Sequence, residues 1–108
     1  MIYIINKDNK KEINNLLLNE KKIIVLYYSA FCGYCRDLLP LWIKIIKKYV
    51  KSKIKIVNVE SDNIKFVKKK FREAIEGYPT IIKYSYGKPI KEFVSEKNYK
   101  NLKNFIEK

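Results

Sequence analysis

Residues 26 to 42, Leu26-Tyr27-Tyr28-Ser29-Ala30-Phe31-Cys32-Gly33-Tyr34-Cys35-Arg36-Asp37-Leu38-Leu39-Pro40-Leu41-Trp42, carry the chain's only two cysteines, spaced C-x-x-C. An apolar run, Ile23 to Tyr28, stops at the small pair Ser29-Ala30, and a helix-period segment resumes after Cys32. The first cysteine therefore falls at a strand-to-helix turn. A redox cysteine reacts as its thiolate and needs surroundings that favour the anion. A helix dipole is worth about 0.3 to 1 kcal/mol, and one pKa unit corresponds to about 1.36 kcal/mol, so the dipole alone is insufficient. The remainder is expected from the first-turn N–H groups of Tyr34 and Cys35 and from the Cys35 thiol. Arg36 and Asp37 carry opposite charges and are expected to cancel. Cys35 lies one turn further into the helix and more enclosed, which suits an attacking thiol, Cys32, and a resolving thiol, Cys35. Two readings stand beside this one: a packed, inert pair, or half of a metal site. Zinc takes about four ligands, and with no His and no further Cys a single chain cannot close a thiolate or imidazole site.

The 108 residues, 47% of them hydrophobic, suit one domain over 1–108 with a core of its own. Ile2-Tyr3-Ile4-Ile5 is too short an apolar run for a signal peptide, and no stretch approaches a membrane span. A soluble cytoplasmic protein with no membrane partner is expected. In that compartment a close cysteine pair cycles or binds metal rather than forming a lasting structural bridge. The formal net charge of +13 raises the question of nucleic acid. Residues 1–60 hold 12 basic and 5 acidic residues and 61–108 hold 12 and 6, so no basic arm stands out. Arg36 and Arg72 are the only arginines, whereas bidentate phosphate and base reading favours arginine. Nucleic acid is therefore not expected as the primary partner. The densest run, Lys68-Lys69-Lys70, reads as a solvated helix face rather than a docking patch.

Working outward, residues 2–5 read as a strand, and Asn9 with Glu12 reads as a helix start before Ile13, Leu16 and Leu17. The unalternating run Ile23–Tyr28 suits a central strand covered on both faces. The helix after Cys32 aligns Leu38, Trp42, Ile45 and Tyr49, with Lys44, Lys47, Lys48 and Lys51 opposite and Pro40 inside as an expected kink. Residues 54–59 form a third strand. A helix is expected next, with Asp62 or Asn63 as cap, Ile64, Val67, Phe71 and Ala74 or Ile75 buried, and Gly77 near its end. Tyr78-Pro79 leads into a strand, Ser85 to Pro89 reads as a hairpin turn, and 90–94 as its antiparallel partner. The last helix aligns Tyr99, Leu102, Phe105 and Ile106. The order βαβαβαββα predicts an α/β mixed sheet with helices on both faces.

This order, with C-x-x-C after the second strand, resembles the thioredoxin family over essentially the whole chain. Phe31-Cys32-Gly33-Tyr34-Cys35 is similar to Trp-Cys-Gly-Pro-Cys or Trp-Cys-Gly-His-Cys, and Pro40 stands five residues after the second cysteine, as in thioredoxins. Gly77-Tyr78-Pro79-Thr80 resembles Gly-Ile-Pro-Thr, and Gly87 matches the hairpin glycine. The resemblance implies a thioredoxin-like fold, catalytic Cys32 and Cys35, redox tuning by Gly33 and Tyr34, and a partner-binding lip of Phe31, Tyr78 and a cis Pro79. It implies a thiol-disulfide oxidoreductase without cofactor, working mostly as a disulfide reductase on protein disulfides. A disulfide reductase enzyme or a flavin-linked sulfhydryl oxidase would be its redox partner, and a monomer is expected. The alternatives are an oxidant or isomerase, or a non-catalytic module, including a dimer bridging a metal or an iron-sulfur cluster. Three departures stand out. Leu26 occupies the place of the family's buried acid, Phe31 that of its tryptophan, and Tyr34 that of Pro or His. Tyr34 offers only a neutral hydrogen bond, so a potential between about −270 and about −180 mV is expected.

Overall fold

The structure, a computed structural model, describes residues 1–73 and 75–108. The elements are β1 Ile2–Ile4, α1 Lys10–Asn19, β2 Ile23–Tyr28, α2 Gly33–Ile46, β3 Lys55–Glu60, α3 Lys69–Arg72, β4 Thr80–Ser85, β5 Lys88–Glu92 and α4 Tyr99–Glu107. The sheet order is β1-β3-β2-β4-β5; β3 runs parallel to β1 and β2, and β4 and β5 turn back antiparallel. The expected mixed sheet is present.

β2 lies at the centre because its side chains are apolar on both faces: Ile23 to Tyr27 are fully buried. Ile24 and Leu26 pack with Leu38, Trp42 and Ile45 of α2 and with Leu102, Phe105 and Ile106 of α4. Ile23, Val25 and Tyr27 pack on the opposite side with Ile13 and Leu17 of α1 and with Val67 and Phe71. A fully buried side chain of this kind contributes about 1.5 to 3 kcal/mol, so the alternation along one strand anchors helices on both sides. The stripe Leu38, Trp42, Ile45 and Tyr49 is buried as expected, and Lys44, Lys47, Lys48 and Lys51 are exposed. Trp42 does more than pack. Its indole N–H donates to Asn58 Oδ1 at 2.8 Å, which satisfies both buried polar groups between α2 and β3. On the other face Tyr84 donates its hydroxyl proton to the Phe71 carbonyl and accepts from Tyr27, both at 2.8 Å. Burial pushes the Tyr84 phenol up to about 12 and raises Tyr27 further, so both stay protonated.

The helix expected after β3 is interrupted. Ser61–Phe66 forms a 3-10 helix, Val67 and Lys68 are extended, and the α-helix proper is only Lys69–Arg72. The cap is the Glu60 carboxylate, which accepts from Asp62 N, rather than Asp62 or Asn63. Ile64 is half-buried while Val67 and Phe71 enter the core. Ala74, offered with Ile75 as the last buried position, lies outside the described residues; Ile75 is half-buried. Buried Asn14 of α1 supports the break, donating to the Phe66 carbonyl at 2.8 Å and accepting from Lys68 N–H at 2.9 Å. A side chain thus replaces backbone partners that a continuous helix would have supplied.

Two smaller differences have local causes. Asn9 precedes α1 without a side-chain cap, because its Oδ1 accepts from Asn6 N and its Nδ2 donates to the Ile4 carbonyl. The hairpin turn is tight, with Tyr86 at φ 49° and Gly87 at φ 83°, so β5 begins at Lys88 rather than Ile90. A Cβ on Gly87 would lie 3.1 Å from Leu18, so space and φ both favour glycine there. β5 is an exposed edge strand carrying Lys88, Pro89 and Lys91, residues that discourage edge pairing. Among the described residues no helix is long and apolar enough to cross a membrane.

Asn14→Ala would leave the Phe66 carbonyl and the Lys68 N–H without these bonds. We expect a loss of about 2 to 4 kcal/mol, read as a lower urea midpoint at unchanged slope. A change under about 0.5 kcal/mol would show that water takes over both bonds.

Candidate active site

β2 delivers the chain to Ser29, and Ala30 and Phe31 turn it into α2, with Cys32 extended at the N-cap, φ −95° and ψ 125°. Cys32 is partly exposed, Cys35 fully buried, and both are free thiols. The Cys32 thiol donates to the Tyr78 carbonyl at 3.6 Å. The Cys35 sulfur accepts from Ser29 N–H at 3.4 Å. Tyr78-Pro79 is cis, as the resemblance implies. The start of α2 and the approach to β4 thus meet at Cys32 and the Tyr78 carbonyl.

The two sulfurs are driven in opposite directions. The Cys32 thiol is held below its ordinary range, first by the Cys35 amide and then by the Cys35 thiol as donors to its anion; partial burial opposes them. The Tyr34 amide and, last, the Arg36 charge add to the lowering, so Arg36 does contribute, contrary to the expected cancellation with Asp37. The Cys35 thiol is pushed up, chiefly by burial, against the Ser29 amide; hydrogen bonding to Cys32 and its charge add to the rise, and Lys97 opposes it. One sulfur is thus prepared as an anion while its neighbour stays a proton donor.

Phe31 and Tyr34 project to solvent, 87% and 78% exposed, on either side of Cys32 in sequence. Tyr78 and Pro79 are half-buried. A Cβ on Gly33 would meet nothing within 4 Å, so close packing does not require glycine there. Leu26 is fully buried among Leu38, Trp42 and Ile81, and an aliphatic side chain can take no proton. Glu60 was not singled out from the sequence, yet its carboxylate accepts from Ala30 N at 3.4 Å and from the Ser61 hydroxyl and Asp62 N–H. Burial raises Glu60, but these bonds outweigh it and hold the carboxyl low, so it ties β3 to the cysteine loop as an anion. An acid at a strand end offers no sequence signal for this role. Among the described residues no group of three metal-ligating side chains occurs.

The Thioredoxin family model matches residues 3–108. Chloroplastic thioredoxin Y1 of Arabidopsis thaliana is 28% identical over 102 residues, 94% of this chain and 58% of that protein. Protein disulfide-isomerase of Saccharomyces cerevisiae is 28% identical over 85 residues, 79% of this chain and 15% of that protein. The chain therefore spans less than two thirds of the length of these relatives. The solution structure of oxidised thioredoxin from Plasmodium falciparum superposes with a TM-score of 0.70 at 23% identity, covering 99% of this chain and 96% of that one.

Two outcomes follow from the geometry. In Cys35→Ser, the rate of Cys32 alkylation by iodoacetamide should rise with pH and level off above a midpoint below about 8.5, since the thiolate forms early; a midpoint above that value contradicts the lowered acidity. Leu26→Asp should accelerate attack by Cys35 on a Cys32 mixed disulfide while lowering stability by more than about 2 kcal/mol, because the new carboxyl is buried. An unchanged or slower resolution rate would remove proton acceptance at position 26 as the missing element.

Proposed function

Since this chain belongs to the thioredoxin family, we propose that it is a thiol-disulfide oxidoreductase acting on protein disulfides, with residues 1–108 as one working unit. The observation that carries the proposal is the placement of two free thiols one helical turn apart, Cys32 partly exposed at the cap of α2 beside the Tyr78 carbonyl and Cys35 buried beneath it. In the reductive direction the Cys32 thiolate attacks one sulfur of the partner's disulfide. A Cys32–partner disulfide forms, and the other partner sulfur leaves as a thiolate that takes a proton. Cys35 gives up its proton to water or to that leaving thiolate, because Leu26 cannot receive it. The Cys35 sulfur then attacks Cys32 Sγ, and the second partner thiolate departs and is protonated. The partner gains two electrons and two protons, and Cys32 and Cys35 end joined.

Phe31, Tyr78 and Pro79 form the partner-facing lip in this reading, and Gly33 and Tyr34 tune the couple. Exposed Phe31 and Tyr34 supply apolar contact, and the Tyr78 carbonyl is a backbone acceptor beside Cys32. Reduction is the preferred direction because position 34 offers no cationic histidine to favour the thiolate more strongly. A reductase enzyme would then return the pair to thiols; with a flavin-linked sulfhydryl oxidase instead, the same steps run in reverse. We take the working form to be a monomer without cofactor.

Reduction of insulin disulfides by dithiothreitol should be accelerated by the wild type and fall to the uncatalysed rate in Cys32→Ser. Cys35→Ser should accumulate a mixed disulfide with insulin, visible by non-reducing electrophoresis. Activity retained in Cys32→Ser would overturn the assignment of the nucleophile.

A further inference from the structure

Away from the cysteines, α1 and the segment 65–72 enclose an open cleft of about 460 Å³. Of the ten described residues that line it six are cationic: Lys10 and Lys11 from α1, and Lys65, Lys68, Lys69 and Arg72 from the opposite wall. Among the described residues none that lines it is acidic. Buried Asn14 fixes the geometry of that opposite wall, since the Phe66 carbonyl and the Lys68 N–H are both bonded to its amide. Lys65, Lys68, Lys69 and Arg72 share one lining across the break that Asn14 supports, and the fold sets them opposite Lys10 and Lys11, a juxtaposition of two distant segments that the sequence does not place.

Three features narrow the ligand class. Arg72 is half-buried and lines the cleft with its guanidinium-bearing side chain. An arginine fork of this kind matches phosphate or carboxylate oxygens in pairs. The Phe66 ring carries the Lys10 ammonium at 5.5 Å and the Lys65 ammonium at 5.4 Å from its centroid, so it is engaged with cations rather than left open for a base to stack on. The charged side chains of the cleft are donors only. A peptide would bring N–H groups that need acceptors here, whereas a phosphate chain brings acceptors alone and several charges in a short length. α1 also opens here without a side-chain cap, adding the positive end of a ten-residue helix.

We propose that this cleft binds a linear polyphosphate chain, either free or as part of a nucleoside polyphosphate. The site is independent of the cysteine chemistry and stands whether or not that reading holds.

The test is calorimetric titration of the full chain with sodium tripolyphosphate at physiological ionic strength, with ATP in a parallel arm. One saturable site is expected. Lys11→Gln with Lys69→Gln, both exposed and so neutral to the fold, should weaken binding about tenfold or more, and Lys44→Gln with Lys47→Gln, at the C-terminal end of α2 and just beyond it, less than about twofold. Arg72→Lys, which keeps the charge and loses the fork, should weaken it about threefold or more. Tighter binding of ATP than of tripolyphosphate assigns the source as a nucleoside polyphosphate, and the reverse order a free chain; either supports the proposal. It is overturned if no binding saturates, if the Lys44 and Lys47 pair weakens binding as much as the cleft pair, or if a single-stranded oligonucleotide binds more tightly than tripolyphosphate.

Discussion

The site depends on where a fully buried strand hands the chain to a helix. β2 is covered on both faces, so its end is fixed by the core, and the three residues after it leave Cys32 at the cap and Cys35 one turn inside. A helix begins with N–H groups that lack intrahelical partners, and a sulfur at the cap position can take them up as an anion. A sulfur three residues later meets core instead of water. Two chemically identical side chains thereby acquire different acidities from position alone. The same core places the β4 approach opposite them, which brings the Tyr78 carbonyl to within 3.6 Å of Cys32.

In the proposed reaction the cost of this arrangement is a buried thiol that must lose its proton before it can attack. Burial keeps Cys35 protonated, and Leu26, packed among Leu38, Trp42 and Ile81, offers no base. Glu60 is the acid the fold brings to the cysteine loop, but amide donors engage it and keep it ionised, so it acts as a brace rather than a proton carrier. In the proposed reaction proton removal falls to water or to the leaving thiolate, and Leu26 stands where the family pattern has a buried acid.

What the sequence made legible were features written over short spans. The run Ile23–Tyr28, the C-x-x-C, the stripe from Leu38 to Tyr49 and the Tyr78-Pro79 strand entry each signal through neighbours a few residues away, and the order of elements followed from them. The rest depends on residues far apart in the chain. The interruption at Val67 and Lys68 is tied to Asn14, more than fifty residues earlier, whose amide meets both sides of the break. The bond from Trp42 to Asn58 and the loop contact of Glu60 likewise need the folded sheet before they exist. The Lys68-Lys69-Lys70 run is visible in the sequence, but its position opposite Lys10 and Lys11 exists only once α1 and the segment 65–72 are brought face to face.

If the proposed chemistry holds, Cys32 and Cys35 form one reversible two-electron couple. Equilibration of the purified protein with glutathione buffers, quenched by thiol alkylation and read by mass, tests it most directly. A single transition is expected, with a slope of about 30 mV per tenfold change and a midpoint between about −270 and −180 mV, both thiols disappearing together. Glutathione adducts on Cys32 with no intramolecular disulfide at any poise would contradict it.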